Sequence, residues 1–178
     1  MKEHGVPHSR PRWYCVGIRK DAARTSFVFP EPVACPTIDS FLDNDSNKSD
    51  VRNIPTANKT MLRNIKSAHD RILKSGGSLD DPHILDCDAG VNNVTCARNF
   101  SPCITRSRNK GHWLLHKNRR MSIQEMMRLQ GINPAKFVVD VPECTLGQQI
   151  GNAMSVNVIE RVLNQALQAA GLTRKGCL

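Results

Sequence analysis

The sequence predicts an α/β fold with a small irregular unit set into it. Residues 12–18 (RWYCVGI) form a short apolar, aromatic and β-branched run that ends in charges, the pattern of a buried strand. Near the other end, Ile159, Val162, Leu163, Ala166, Leu167 and Ala170 keep the 3.6-residue period of an amphipathic helix that starts at Ser155 and stops at Gly171. Residues 31–118 lie between them and are loop-rich. Strand and helix should belong to one sheet-bearing layer. The helical stripe has no evident local partner, so that layer should be incomplete and partly exposed.

The intervening elements follow from local chemistry. Three prolines between residues 30 and 36 mark a boundary, residues 38–42 suit a short helical turn, and residues 43–50 (DNDSNKSD) suit a polar loop. Residues 58–74 form the clearest early helix. Met61, Leu62, Ile65, Ala68, Ile72 and Leu73 share a face, Asn58 can cap the start, and Gly76–Gly77 can end it. Such a helix is an ordinary amphipathic surface helix or one that faces DNA. Residues 84–87 and 113–116 predict short strands, residues 103–106 a third, and Gly111 a hairpin turn. Ser122 and Glu125 make a capping box for a helix running to about Gln130, closed by Gly131.

Charge and cysteine usage narrow the class. The net charge is +9, and the seven Lys or Arg between Arg98 and Arg120 are interrupted by no Asp or Glu. A block of this kind is either a solvated basic surface or a face for nucleic acid. No signal peptide or 18-residue apolar span is evident, which excludes a membrane-spanning reading and implies an intracellular protein, nuclear if eukaryotic. Seven cysteines at irregular spacing, with no C-x-x-C pair, suit reduced thiols and give no metal site, although His83, Cys87, Cys96 and Cys103 are a conceivable cluster.

Four constellations carry chemistry. Arg10 and Arg12 stand two apart before the predicted strand and project to one side of an extended chain. Paired guanidinium forks there could hold a phosphate and a polar base edge. In S-P-C-I-T-R-S-R (101–108), Thr105, Ser107 and backbone amides suit phosphate, while Arg106 and Arg108 suit phosphate or a guanine edge. In R-R-M-S-I-Q-E-M-M-R-L-Q-G (119–131), Glu125 and Arg128 are spaced to pair, and Arg120 is the residue placed to touch DNA. In Q-I-G-N-A-M (149–154), a Gly-Asn turn at a helix start would expose N–H groups to a carboxylate or amino-acid ligand.

Together with GVPHSRPRWYCVGI (5–18), these segments resemble the last three motifs and the recognition region of the DNA cytosine-5 methyltransferases. The family's G-V-P-Q-x-R-x-R, P-T-L-T-x-S-R, R-x-L-T-x-x-E-x-x-R-L-Q-G and Q-x-G-N-A/S-V patterns are met with His8 for Gln, Cys103 for Thr and Met154 for Val. The resemblance implies the C-terminal portion of an S-adenosylmethionine-dependent, Rossmann-like methyltransferase domain plus a small target-recognition domain. Residues 1–30 would end the catalytic domain, 31–118 would read the target, 119–171 would return to the catalytic domain, and 172–178 would be a basic tail. It further implies that Arg12 meets the target cytosine and that Arg10 binds the DNA backbone or supports the pocket. Asn152, Ala153 and Met154 would line the S-adenosylmethionine site, and double-stranded DNA would be the partner.

Complete enzymes of this kind flip the target base out of the duplex; a Cys thiolate adds to C6 and a Glu holds the ring nitrogen before C5 is methylated. No cysteine here lies in a Pro-Cys-Gln loop, and neither a Glu-Asn-Val nor a G-x-G donor loop occurs. The chain is therefore expected to be catalytically incomplete. It would be a fragment of the enzyme, a specificity subunit for a separate catalytic polypeptide, or a DNA-binding protein without the enzymatic role.

Overall fold

The computed structural model describes residues 3–44 and 58–173, so the polar run 43–50 beyond residue 44 and the basic tail 172–178 beyond residue 173 lie outside the described residues. Four strands form one antiparallel sheet in the order β2-β1-β3-β4: β1 (His83–Leu85), β2 (Cys96–Arg98), β3 (Trp113–Leu114) and β4 (Arg119–Arg120). β1 is central. Leu85 stands opposite Cys96 on one side and Trp113 on the other, and Ile84 stands opposite Ala97 and Leu114. Because side chains alternate along a strand, the sheet divides two cores. Leu85 and Trp113 face α1 (Lys59–Lys74), packing with Met61, Ile65, Ala68 and Ile72. Ile84 and Leu114 face the other way, onto Val6, Ile104, Met126 and Leu129.

α1 forms where the periodicity places it. Asn58 caps it by accepting from Met61 N–H at 3.0 Å, and Gly76 leaves it at φ +73. α2 (Ile123–Leu129) has the expected capping box: Ser122 Oγ accepts from Glu125 N–H at 3.2 Å, and Ser122 N–H donates to Glu125 Oε2 at 2.7 Å. Glu125 is fully buried and does not pair with Arg128. Having turned back toward the cap, it meets Arg119 from β4, which donates twice at 2.7 and 2.8 Å. Arg128 instead reaches the Phe41 carbonyl and Asp43, at 3.0 and 2.7 Å, and secures the 3₁₀ turn Ile38–Phe41.

Several expectations need correction. Residues 12–18 form no strand; they run extended and largely exposed, with Trp13 89% accessible. An apolar, β-branched run becomes a strand only where another strand supplies its hydrogen bonds, and none lies beside it among the described residues. Residues 103–106 are likewise not a strand but lead into a 3₁₀ turn, Arg106–Arg108. The expected strand at 113–116 stops at Leu114, where the turn Leu115–Lys117 and Asn118 at φ +51 fold the chain back into β4. β2 was not foreseen, because V-T-C-A-R offers little alternation.

No parallel sheet occurs among the described residues; parallel pairing is confined to the bridges His4–Val33 and His8–Ser101. The core also crosses the expected boundaries near residues 30 and 118, since Val6, Ile84, Leu129 and Ile150 share it. No described helix is long and apolar enough to cross a membrane.

The last helix, α4 (Val156–Ala169), buries Val158, Val162 and Ala169. Of the expected stripe only Val162 is buried, and Leu163 is 51% accessible. The N-terminal segment covers part of the helix: Arg24 and Thr25 N–H donate to the Ala169 carbonyl, and Arg161 reaches the Glu3 and Glu31 carbonyls.

Glu125 satisfies four donors from inside the core, so its loss should be costly. Glu125→Ala takes the buried carboxylate away from Arg119 and from the Asp43 and Ser122 N–H groups, and is expected to lower stability by about 3–5 kcal/mol in urea denaturation.

Candidate functional site

α3 (Glu143–Asn152) was not foreseen as a helix, and it organises the site. Gly147 and Gly151 are four apart and share a face. A Cβ on Gly147 would lie 2.2 Å from the Asn109 carbonyl oxygen, and one on Gly151 would lie 2.4 Å from the Thr105 carbonyl. The two glycines thus let the helix lie directly on the backbone of residues 105–109, which carry the basic segment. The signal was present in the sequence as G-Q-Q-I-G.

Arg10 locks this junction. It is 3% accessible, and it donates Nη1 to the Ile104 carbonyl at 2.6 Å and Nη2 to the Gly151 carbonyl at 3.0 Å. Burial lowers its pKa from the usual arginine value, but a guanidinium stays charged at neutral pH. Arg10 is thus turned inward onto two backbone carbonyls and is not exposed at the surface. His8 completes the lock. The Ile104 N–H donates to His8 Nε2 at 3.0 Å, and Ser9 and Ser101 N–H bond to the Ser101 and Pro7 carbonyls at 2.8 Å. Burial, then the neighbouring Arg10 charge, push the fully buried His8 down to about 3, so it is neutral.

Three segments expected at the site therefore meet: residues 8–12, 101–108 and 149–154. Arg12 is exposed and, among the described residues, its side chain bonds only to the Pro11 carbonyl, at 2.7 Å. Arg106 is exposed and has no ion pair among the described residues, beside Thr105 and Ser107, whose hydroxyls lie 3.0 Å apart. Arg108 is half-buried and donates to Asp86 at 2.6 Å, which raises its pKa; its Nη1 also reaches Ser107 at 3.2 Å. Arg120 does not stand free for DNA. Asp88 takes both of its terminal nitrogens, at 2.7 and 2.8 Å, and the Gly111 carbonyl takes a third bond at 2.7 Å. That hydrogen-bonded pair also holds the Asp88 carboxyl below the usual carboxylate range. The acidic partners of these arginines could not be matched to them in the sequence.

Asn152, Ala153 and Met154 form an open ledge where α3 passes into α4, and Met154 is 46% accessible. Gly151 and Asn152 close a helix and do not open one, so the Ala153 N–H is already bonded to the Gln149 carbonyl at 2.9 Å. Gln130 supports the ledge from beneath: its Nε2 donates to the Ile150 carbonyl at 2.9 Å, and its own carbonyl accepts from Val156 N–H at 2.8 Å. Next to the ledge, Ser155 Oγ is buried without a hydrogen-bond partner. Cys87 is sealed beneath α1, and burial pushes its thiol up to about 11. Among the described residues no three His, Cys, Asp or Glu side chains gather as metal ligands.

The Arg-x-Arg segment, a basic 3₁₀ turn and a glycine-faced helix end are thus joined at one buried arginine, Arg10. The family model for C-5 cytosine-specific DNA methylase matches residues 1–168. The chain belongs to that family of DNA methyltransferases, and the match runs through residues 31–97, where no motif had been assigned. No curated protein matches the chain in sequence.

Two substitutions test the junction. Gly151→Ala drives a Cβ into the backbone of residues 105–106 and should cost about 3 kcal/mol in denaturant unfolding. Gly90→Ala, with open space at its Cβ and φ −63, should change little. His8 sets a pH dependence. Its folded pKa is depressed, so below the unfolded value of about 6.5 the unfolded chain binds the extra proton, and stability falls with pH from there toward 3. His8→Gln should remove that share of the loss, seen as a flatter unfolding free energy between pH 6.5 and 4.

Proposed function

We propose that this chain is the DNA-recognition part and one wall of the cofactor pocket of a DNA cytosine-5 methyltransferase, and that it is catalytically incomplete on its own. The observation that carries the reading is the Arg10 guanidinium. It bonds Ile104 and Gly151, which stand 94 and 141 residues from it in the chain, and so draws the three segments of the family resemblance to one point. Residues 31–118 are the unit that reads the target, within the structure of a Rossmann-like methyltransferase domain completed by residues outside these 178.

The cofactor of this reading is S-adenosylmethionine, which supplies the methyl group. The ledge fits one side of such a site: Asn152 offers an exposed amide, Ala153 leaves room, and the partnerless Ser155 hydroxyl lies next to it. The chain's own residues bind and orient. Arg106, Thr105 and Ser107 hold the phosphate backbone of double-stranded DNA. Arg108 is fixed by Asp86 and stiffens the turn, and Arg120 serves the scaffold through Asp88. Arg12, free of any carboxylate, is the residue for the extruded cytosine. The nucleophilic thiolate and the donor loop are absent from the sequence and come from elsewhere, in the same polypeptide or a separate one.

Duplex binding and methyl transfer test this together. Arg106→Ala should weaken binding to a short duplex and make its salt dependence shallower by about one. Arg12→Ala should leave binding to an intact duplex nearly unchanged, because its partner is flipped out only during turnover. With S-adenosylmethionine and cytosine-containing DNA, the chain alone should form no 5-methylcytosine. Product formation would refute the incomplete site, and an unchanged Arg106→Ala would refute the assigned DNA contact.

A further inference from the structure

We propose that α1 carries a second DNA-contacting surface, a ridge of Lys59, Arg63 and Lys66 that tracks the phosphate backbone beyond the footprint of residues 105–108. It rests on the DNA-binding reading above. The three cations recur at four and three residues, so they share a face of the helix and span about 10 Å at roughly 1.5 Å per residue. All three are exposed, and none has an ion pair among the described residues. The two acids of the turn that Asn64 contacts are already engaged. Asp86 is taken by Arg108 and Asp88 by Arg120, which leaves Asp70, one turn beyond Lys66, at the ridge's edge.

Arg63 is held in place without being neutralised. Its Nε and Nη2 donate to Asn64 Oδ1 at 3.3 and 3.1 Å. Asn64 is itself 2% accessible, and its amide nitrogen donates to the Cys87 and Ala89 carbonyls at 3.0 and 2.9 Å. A buried amide, fixed by two backbone carbonyls, therefore aims its oxygen at the guanidinium. The acceptor is neutral, so Arg63 keeps its full charge while losing side-chain freedom. That is how a cation is prepared for an anion that arrives from outside.

The ridge and the 105–108 segment hang on one turn. Residues 86–89 bond Arg108 through Asp86, Asn64 through the Cys87 and Ala89 carbonyls, and Arg120 through Asp88; Arg120 also touches Met61 Sδ at 3.5 Å. The cationic helix is thereby linked rigidly, through residues 86–89, to the basic turn that carries Arg106. Unpaired positive charge complements phosphate, and no base edge is required of it, so the ridge should add affinity without adding sequence preference.

The test is duplex binding by the 178-residue chain across a salt series. The variant Lys59→Ala/Arg63→Ala/Lys66→Ala should bind at least about tenfold more weakly at low salt, with a salt dependence shallower by roughly 2 to 3. Its preference among duplex sequences and its thermal melt should not change, since all three side chains are exposed. If that variant misfolds, Lys59→Gln/Arg63→Gln/Lys66→Gln must give the same result. Unchanged affinity and salt dependence in a folded ridge variant, while Arg106→Ala weakens binding, would overturn the ridge and leave the function intact. Failure of the unaltered chain to bind duplex would overturn both.

Discussion

Backbone lying against backbone governs this structure. α3 approaches residues 105–109 so closely that neither Gly147 nor Gly151 has room for a methyl group. Close approach of this kind loses the side-chain burial that usually holds a helix in place, so other bonds must supply it. Arg10 does so by bridging Ile104 and Gly151 across the junction, and Leu146 and Ile150 anchor the helix in the core. The consequence is positional. The basic turn, the Arg-x-Arg segment and the Asn152 ledge cannot move independently, because each shares a bond or a van der Waals contact with the same few atoms. Alignment of reacting groups depends on rigidity of this kind, since small displacements cost large factors in rate.

A second layer of order comes from the pairing of charges. Of the arginines in the basic stretch, Arg98, Arg108, Arg119 and Arg120 are tied to Asp81, Asp86, Glu125 and Asp88, whereas Arg106 has no ion pair among the described residues. A positive sequence run is therefore two populations. One holds the sheet, α2 and the turns together, and the other is left for a ligand. Net charge alone does not separate them. The half-buried pairs gain from being partly shielded from solvent, while the unpaired cations retain the long-range field that attracts a polyanion.

How much could be read from the sequence depended on whether a signal was local. The capping box at Ser122, the α1 periodicity and the stop at Gly131 are local, and the structure carries each of them. The strand expected at residues 12–18 was not local. Its residues have the right character, but strand formation also needs a neighbour, and that neighbour is not among the described residues. β2 failed for the opposite reason: V-T-C-A-R is a weak pattern that pairs because β1 is there to receive it. The partners of Glu125, Arg120 and Arg108 are set by tertiary proximity, so the i, i+3 spacing of Glu125 and Arg128 misled. The Arg10 lock was visible only as a spacing beside a resemblance, and its two carbonyl acceptors could come only from coordinates.

The uneven distribution of apolar surface follows from the same constraint. Both faces of the sheet are sealed, one by α1 and one by α2 and α3, and the residues there are nearly inaccessible. Other parts of the surface are different. Trp13, Val28, Phe29, Val138 and Leu163 are each more than half accessible, and they belong to the N-terminal segment, the approach to α3, and α4. Large apolar side chains left in water cost roughly 1.5–3 kcal/mol each relative to burial, and Leu73 on α1 and Val91 are more than half accessible as well, so the exposure is not confined to one region. The segment with strand character has no strand partner among the described residues, and the Ser155 hydroxyl beside the ledge has no hydrogen-bond partner among them. Unburied area, an unmade strand pairing and an unmade hydrogen bond are three independent deficits, and an adjoining sheet-bearing layer would relieve all of them at once.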